Sequence, residues 1–326
     1  MSVLDQILES ARQSRRPIIL PEGEDPRIRE AARRAVAEGL ARITLLGDPA
    51  RIEPISGVEI IDPARYADLD RLAGAYFELR KHKGMTPEAA RSEMARALPQ
   101  AAMRVRLGLA DGSVAGAVAT TADTVRAALQ IIGRAPGVRV VSSFFLMLGT
   151  EQSSFKGGMI FSDCGLVIDP DAAELASIAR SAAQSCRDLL GETPRVALLS
   201  FSTAGSAEHE SLQKIREAVA LVRAEEPGLE IDGEMQFDAA FEDAIRHKKA
   251  PQSPLTGRPN VFVFPNLAAG NIGYKIAQRL GGLDAIGPVL QGLALPANDL
   301  SRGCSVDDVI AAIAVTAAQV RVRAPA

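Results

Sequence analysis

Short runs rich in apolar and β-branched residues alternate along this chain with longer stretches whose apolar residues recur every three or four positions. Runs of the first kind predict strands, and stretches of the second kind predict helices. Because the two kinds alternate, the pattern predicts an α/β fold with parallel sheets. The predicted strands are residues 17–20, 43–46, 58–61, 114–118, 140–148, 159–168, 196–200 and 261–264.

Helices are expected between these strands. The longest should be interrupted near Gly84, and either Thr86 or Pro87 could start its next segment. Ser305 and Asp308 have the spacing of a capping box, in which each side chain bonds the backbone of the other residue. The predicted helices are a short amphipathic one at the N-terminus and residues 25–39, 69–107, 123–132, 171–190, 208–226 and 309–320.

Length and composition narrow the class of protein. A chain of 326 residues suggests two domains, and 47% hydrophobic with 24% charged residues is ordinary for a globular protein. The formal net charge of −3 gives no reason to expect nucleic acid as a partner. No apolar run approaches the roughly 20 residues that cross a bilayer, so no membrane association is expected. Three scattered cysteines without metal-ligand spacing predict a reduced, cytoplasmic protein with no metal site.

Four hydroxyl- or glycine-bearing segments follow predicted strands or precede predicted helices, at residues 120–126, 200–206, 265–273 and 298–308. In α/β folds, ligands bind beyond the carboxyl ends of the strands. A single segment of this kind is usually an ordinary helix cap. Four of them together suggest a polyanionic ligand.

The last segment carries the most chemistry. The start of a helix offers free backbone N–H groups to an anion, and Arg302 adds a planar donor fork. Cys304 is the conspicuous thiol, and a nearby cation with a helix start would lower its pKa. Without a partner histidine, however, a small packing residue is the better interpretation. A capped helix with a solvated arginine remains the plain alternative for the whole segment.

The familiar nucleotide and hydrolase motifs are absent. The chain contains no G-x-G-x-x-G, no G-x-x-x-x-G-K-[ST] and no G-x-S-x-G. Asp232, Glu234 and Asp238 group three carboxylates, but without the spacing of a calcium loop. The residues alone therefore predict a two-domain α/β enzyme that binds a phosphorylated ligand.

The stretch N-D-L-S-R-G-C-S-x-x-D at residues 298–308 resembles the C-terminal signature of the phosphate acetyltransferases (phosphotransacetylases), in the phosphate acetyl/butyryltransferase family. Further segments of the chain resemble the same family in the expected order. They are residues 77–84, 123–126, 199–206, 232–240, 260–267, 270–280 and 287–292.

The resemblance implies a reversible acyl transfer in which acetyl-CoA and phosphate give CoA and acetyl phosphate. CoA is a substrate here, and no cofactor is implied. It also implies two α/β/α domains of the isocitrate/isopropylmalate dehydrogenase type, with the active site in the cleft between them, and a homodimer. The expected domains are residues 1–138 with 289–326, and the inserted residues 139–288.

The resemblance also implies residue roles. Asp308 would take the proton of the CoA thiol, Ser301 would hydrogen-bond the carbonyl oxygen, and Arg302 would bind the phosphoryl group. A helix start favours the anionic form of Asp308 and burial disfavours it, so its balance between base and cap stays open. The residues expected to contact CoA or phosphate are Arg80, Arg126, Arg27, Arg279 and Thr124.

Three alternatives remain. A phosphate acyltransferase for propionyl or butyryl groups is the nearest, because the acyl pocket is not readable from the sequence. A non-catalytic acetyl-CoA-sensing module is disfavoured by the intact set of Ser301, Arg302 and Asp308. An oxidoreductase of the same fold class is disfavoured by the missing nucleotide and metal signatures.

Overall fold

The computed structural model describes residues 2–320, which form two compact units. The first unit contains residues 2–135 and 293–320, and the second contains residues 136–292. The chain therefore leaves the first unit once and returns to complete it. The two crossing points differ by three and four residues from the expected ones at 138 and 289.

The first unit is built on a sheet of five parallel strands in the order β11-β4-β1-β2-β3. The central strand is completely buried at Ile19 and Leu20, because it has a neighbour on each side and helices on both faces. The strands are β1 (Pro17–Leu20), β2 (Arg42–Leu46), β3 (Val58–Ile61), β4 (Gly112–Ala115) and β11 (Ala297–Asp299).

Seven α-helices pack in this unit. Thr86 caps the restarted segment as predicted, since its hydroxyl accepts a hydrogen bond from the Ala89 amide at 3.2 Å, with Pro87 next in the chain. A second break at Arg96, where one helix ends and another starts, was not predicted. The helices are α1 (Val3–Ser14), α2 (Pro26–Ala37), α3 (Leu69–Arg80), α4 (Pro87–Met94), α5 (Ala97–Arg106), α6 (Thr121–Ala127) and α12 (Val306–Ala318). Short 3-10 turns at Pro63–Arg65 and Lys81–Lys83 and a π-helical turn at Ala128–Ile132 complete the unit.

The second unit has a mixed six-stranded sheet in the order β10-β5-β6-β9-β7-β8. Its strands are β5 (Ser142–Leu148), β6 (Gly158–Ser162), β7 (Arg195–Leu199), β8 (Glu230–Met235), β9 (Val261–Val263) and β10 (Asp284–Gln291). Strand β5 runs antiparallel to both β6 and β10, so the prediction of a parallel sheet is wrong at this end. The loop from Leu148 to Gly158 is too short for the crossover that parallel strands require.

Five helices cover the second sheet: α7 (Ala172–Leu190), α8 (Glu210–Glu225), α9 (Phe237–Phe241), α10 (Asp243–Lys249) and α11 (Leu267–Arg279). Its core is aromatic, with the Phe161 ring 5.4 Å from Phe262 and 5.3 Å from Phe264, measured between ring centroids. Among residues 2–320, no helix is long and apolar enough to cross a membrane.

Candidate active site

Two of the four predicted segments come together at the carboxyl edge of the first sheet. Strands β4 and β11 are paired neighbours, with Ala115 opposite Asp299. Segment 116–126 continues from β4 into α6, and segment 300–305 continues from β11 into α12. The Leu300 amide donates to the Ala115 carbonyl at 2.7 Å, so the two segments leave the sheet side by side.

Residues Ser301 to Cys304 form a tight turn. The Cys304 amide donates to the Ser301 carbonyl at 2.9 Å, and the Gly303 amide donates to the Ser301 hydroxyl at 3.3 Å. The side chains of Ser301 and Arg302 are exposed. Within the part of the chain that the structure describes, the Arg302 guanidinium has no hydrogen bond or ion pair. Its donor fork is therefore available to an oxyanion.

Asp308 forms the predicted capping box with Ser305. Its Oδ2 atom accepts hydrogen bonds from the Ser305 amide at 2.8 Å and from the Ser305 hydroxyl at 2.9 Å. The side chain is exposed, and Oδ1 accepts no hydrogen bond from residues 2–320. One carboxylate oxygen therefore caps α12 while the other is available to accept a proton.

Arg27, at the start of α2, binds protein atoms with all five of its side-chain N–H groups. Nε and Nη2 donate to the Asp25 carboxylate at 3.1 and 2.8 Å, and Nη2 also donates to the Ala117 carbonyl at 2.8 Å. Nη1 donates to the carbonyls of Arg302 at 2.7 Å and Cys304 at 3.1 Å. The predicted substrate contact thus lies against the turn that carries Ser301, with its donors engaged.

Glu22 was not singled out by the sequence, yet it organises the loop after β4. Its carboxylate accepts hydrogen bonds from four successive backbone amides, at residues 116–119, over 2.7 to 3.0 Å. The segment predicted to hold a phosphate begins at residue 120, directly after these four amides. Its preceding loop is thus fixed by a carboxylate of the protein itself.

Cys304 is buried, with 6% of its surface exposed. Burial raises the pKa of its thiol above the usual value, against a smaller lowering by the Arg27 charge. The low pKa that its neighbours suggested from the sequence is therefore not obtained, because the site withholds water from the thiolate. A protonated, enclosed thiol fits the packing role.

Asp299 is a buried carboxyl whose two oxygens both lack a well-aligned hydrogen bond from the described residues. Burial raises its pKa, and the nearby hydroxyls of Thr121 and Thr124 offset this only in part. Thr124, a predicted substrate contact, is itself 4% exposed and its hydroxyl has no aligned partner in the described chain. Its side chain lies inside the unit, next to Asp299, and not on the surface.

Three arginines, Arg80, Arg96 and Arg126, lie near one another in the first unit. Arg126 is exposed and donates to Asp123 at 2.6 Å. Hydrogen bonds from Thr120 and Arg126 lower the pKa of Asp123, and the Arg96 charge lowers it further. Burial raises the pKa of Tyr76, while the charges of Arg80 and Arg96 lower it. The unpredicted Arg96 therefore lies near both predicted CoA contacts, and only the fold reveals this.

The remaining predicted residue, Arg279, lies in the second unit on the last turn of α11, where it is exposed. The other two predicted segments also lie in this unit. Ser200 and Phe201 after β7, with Pro265 and Asn266 after β9, line a cavity of about 810 Å³. The four segments thus form two pairs, each at the carboxyl ends of neighbouring strands.

Comparisons with known proteins identify the family. Residues 2–317 match the family model described as phosphate acetyl/butaryl transferase. A phosphate acetyltransferase of Paracoccus denitrificans is 67% identical over 322 residues, covering 98% of this chain and 100% of that protein. The chain belongs to the phosphate acetyl/butaryl transferase family.

Solved structures agree with this family assignment. A phosphotransacetylase from Streptococcus pyogenes superposes with a TM-score of 0.91 at 42% identity, covering 98% of each chain. A 4-hydroxythreonine-4-phosphate dehydrogenase from Klebsiella pneumoniae gives a TM-score of 0.55 at 14% identity, over 94% of this chain and 100% of the other. The second likeness concerns the fold alone.

In this member of the acyltransferase family, the carboxylates of β8 and α9 do not converge. Asp232 pairs with Arg223 at 3.0 Å, and Asp238 pairs with Lys249 at 2.8 Å. Glu234 is buried in a separate network centred on Arg216. Across residues 2–320, no group of three or more histidine, cysteine or acidic side chains could hold a metal ion.

Proposed function

We propose that this chain is a phosphate acetyltransferase, which transfers an acetyl group reversibly between CoA and phosphate. The observation that carries the proposal is the composition of one short loop and the helix it opens. Among residues 2–320, the Arg302 guanidinium and Oδ1 of Asp308 have no hydrogen-bond partner, and the Ser301 hydroxyl beside them is exposed. Because the chain belongs to an acyltransferase family, acyl transfer is the reaction in which these groups would act.

The proposed reaction is a direct attack of the CoA thiol on acetyl phosphate. A thiol with a pKa near 8.5 is mostly protonated at neutral pH, so Oδ1 of Asp308 accepts its proton as the sulfur attacks the carbonyl carbon. The new C–S bond forms, the C–O bond to phosphate breaks, and phosphate leaves with the electron pair. Ser301 donates a hydrogen bond to the carbonyl oxygen, and Arg302 binds the phosphoryl oxygens.

We assign the phosphates of CoA to the arginine region of the first unit. Arg126 and Arg96 are exposed, and each uses only Nη1 for its carboxylate partner, Asp123 or Glu93, so their other donors are available. Arg80 is half-buried in the same region. Arginine suits this task because its planar fork matches phosphate oxygens. Arg279 and the placement of the site in a cleft between the units stay predictions, as does a fold of the isocitrate/isopropylmalate dehydrogenase type.

We also propose a homodimer in the cytoplasm, with no nucleic acid or membrane partner. Ile272 and Ile276 on α11 and Leu280, the residue that follows this helix, recur every fourth position, and their side chains are 58, 54 and 86% exposed. Such a stripe is costly in water and supports contact with a second copy of the chain. A charge at its centre, Ile276→Glu, should convert the dimer to monomers in light scattering coupled to gel filtration; an unchanged mass would remove this face from the interface.

The experiment that tests the function is thioester formation by the purified chain from CoA and a series of acyl phosphates. Acetyl phosphate should give the highest kcat/KM, followed by the propionyl and butyryl compounds. A preference for butyryl phosphate would shift the assignment to the longer-chain transferases. No thioester from any acyl phosphate would leave the acetyl-CoA-sensing module as the better account.

The matched variant for this experiment is Arg302→Lys, which keeps the charge but loses the two-pronged donor geometry. We expect the KM for acetyl phosphate to rise at least tenfold while the KM for CoA changes little. Equal KM values for acetyl phosphate in the variant and the parent protein would remove the phosphoryl-binding role from Arg302.

A further inference from the structure

Arg27 hydrogen-bonds the turn that carries Ser301 and Arg302, and Glu22 hydrogen-bonds the neighbouring loop at residues 116–119. The proposed reaction uses neither side chain. We propose that Arg27 and Glu22 are positioning residues that pre-organise this turn, and that Arg27 does not bind substrate. The inference rests on the proposed function, because it concerns the loop to which that function assigns the chemistry. It also replaces the role that the sequence suggested for Arg27.

The hydrogen bonds of Arg27 support a fixed, internal role. A guanidinium has five N–H donors, and here each one meets a protein oxygen. A substrate phosphate could bind only by displacing Asp25 or a backbone carbonyl. Because all its donors are engaged, Arg27 is a poorer anion ligand than Arg126, which uses only Nη1 for Asp123, or than Arg302, which has no partner within residues 2–320.

The acceptors of Arg27 lie on three segments that are far apart in sequence. Asp25 follows β1, Ala117 follows β4, and the carbonyls of Arg302 and Cys304 belong to the turn after β11. The two carbonyls flank Gly303, so holding both fixes the turn on either side of its most flexible residue. Arg27 therefore joins the candidate catalytic turn to its two neighbouring loops.

Glu22 supports the same arrangement from the other side. Its two oxygens bind the four amides of residues 116–119, including the amide of Ala117, whose carbonyl accepts from Arg27. Gly116 in this loop has φ of +107°, and an added Cβ would lie 2.3 Å from the Asp299 carboxylate and 2.6 Å from the Leu300 amide. The loop is thus packed directly against the residues that precede Ser301. A shift of the loop would therefore also shift the turn.

This geometry predicts a specific kinetic signature. A misplacement of about 1 Å in a catalytic group can lower turnover by about a hundredfold without changing what binds substrate. Loss of the Arg27 anchor should therefore lower kcat and leave the KM values for CoA and acetyl phosphate nearly unchanged. Loss of a substrate-binding arginine would instead raise the KM for the ligand it contacts and leave kcat nearly unchanged.

The kinetic test compares Arg27→Gln and Arg27→Lys with Arg33→Gln, an exposed arginine on the same helix whose partner is Glu30. We expect kcat to fall by about 10- to 100-fold in both Arg27 variants, with each KM within about threefold of the parent value, and added guanidinium ion to restore part of the rate of Arg27→Gln. A KM for CoA or acetyl phosphate raised tenfold at unchanged kcat, or kinetics matching Arg33→Gln, would overturn the proposal.

A second measurement does not depend on activity. In the full-length protein, hydrogen–deuterium exchange of the peptide covering residues 300–305 should quicken about tenfold in Arg27→Gln and in Glu22→Gln, because the turn loses its anchor. In Glu22→Gln, an NH₂ group replaces one of the two carboxylate oxygens, so it cannot accept hydrogen bonds from the backbone amides that this oxygen binds. Unchanged exchange in both variants would contradict the inference. If the parent protein is inactive but exchange still quickens in the two variants, the proposed function is refuted while the positioning role of Arg27 and Glu22 stands.

Discussion

The buried Glu234 allows a quantitative prediction of how one charged side chain stabilises the second unit. Its Oε2 accepts from Arg216 Nε at 2.7 Å, and its Oε1 accepts from Arg216 Nη2, the Ser202 hydroxyl and the Gly205 amide, each at 2.9 Å. Burial alone would raise the pKa of this carboxyl, but these hydrogen bonds outweigh burial and lower the pKa to about 2. The charged form therefore holds the loop at residues 202–205 against β8.

The lowering from 4.5 to about 2 sets the size of the effect. At about 1.4 kcal/mol per pH unit, the charged carboxyl contributes about 3 kcal/mol to the free energy of unfolding. Because the pKa is depressed in the folded state, this contribution is complete above the unfolded value near 4.5 and is lost as pH falls towards 2. Glu234→Gln should remove most of it, since its NH₂ group would face Arg216.

The assay is urea unfolding followed by circular dichroism at several pH values between 7 and 3. Glu234→Gln should be less stable than the parent by about 3 kcal/mol at pH 7, and the difference should shrink below pH 4.5. Glu217→Gln, an exposed residue on α8 bonded to Gln213, is the control and should change little. Equal stability of the two variants at pH 7, or a loss that persists unchanged in acid, would show that the charge of Glu234 does not stabilise the folded protein.

Three further predictions concern the first unit. Arg96→Ala should raise the KM for CoA a few-fold without changing that for acetyl phosphate, because it removes an exposed guanidinium, whose Nη1 is bound to Glu93, from the region of Arg80; unchanged kinetics would exclude it. Asp299→Asn should gain stability over the parent as pH rises above about 4, since burial raises the pKa of Asp299 and the charged form is unfavourable in the folded protein; an equal pH dependence of the two melting temperatures would count against this. Cys304→Ala should keep its turnover within about threefold, because an enclosed thiol in contact with Arg27 is not the nucleophile; loss of turnover in a folded variant would reopen that role.

Strands β1 and β3 match their predicted residues for different reasons. Strand β1 is a continuous apolar run buried in the centre of the sheet. Strand β3 is a partly exposed edge strand, and its β-branched residues on either side of Glu59 gave the signal. Strands β8, β10 and β11 were missed. The first carries Asp232, Gly233 and Glu234, the second contains Gly287 and Pro288, and the last is only three residues long. In each case, tertiary pairing overrides a weak local pattern.

The candidate site also combines a feature that the sequence predicts with contacts that only the fold creates. The capping box of Ser305 and Asp308 was readable because its partners are three residues apart. The anchors of the turn were not, since Arg27 reaches carbonyls that lie more than 270 residues further along the chain. No local pattern reports that Glu22 faces a row of amides. Only the order of strands β11, β4 and β1 brings these groups to one edge of the sheet.

The most direct test of the account is the turnover of Asp308→Asn in thioester formation at saturating CoA and acetyl phosphate. Asparagine keeps an acceptor for the Ser305 amide, so the cap of α12 survives while the base is removed. We predict that the parent protein forms acetyl-CoA and that the variant binds CoA normally but turns over at least a hundredfold more slowly. Equal turnover in the two proteins, or no acetyl-CoA from the parent, would contradict it.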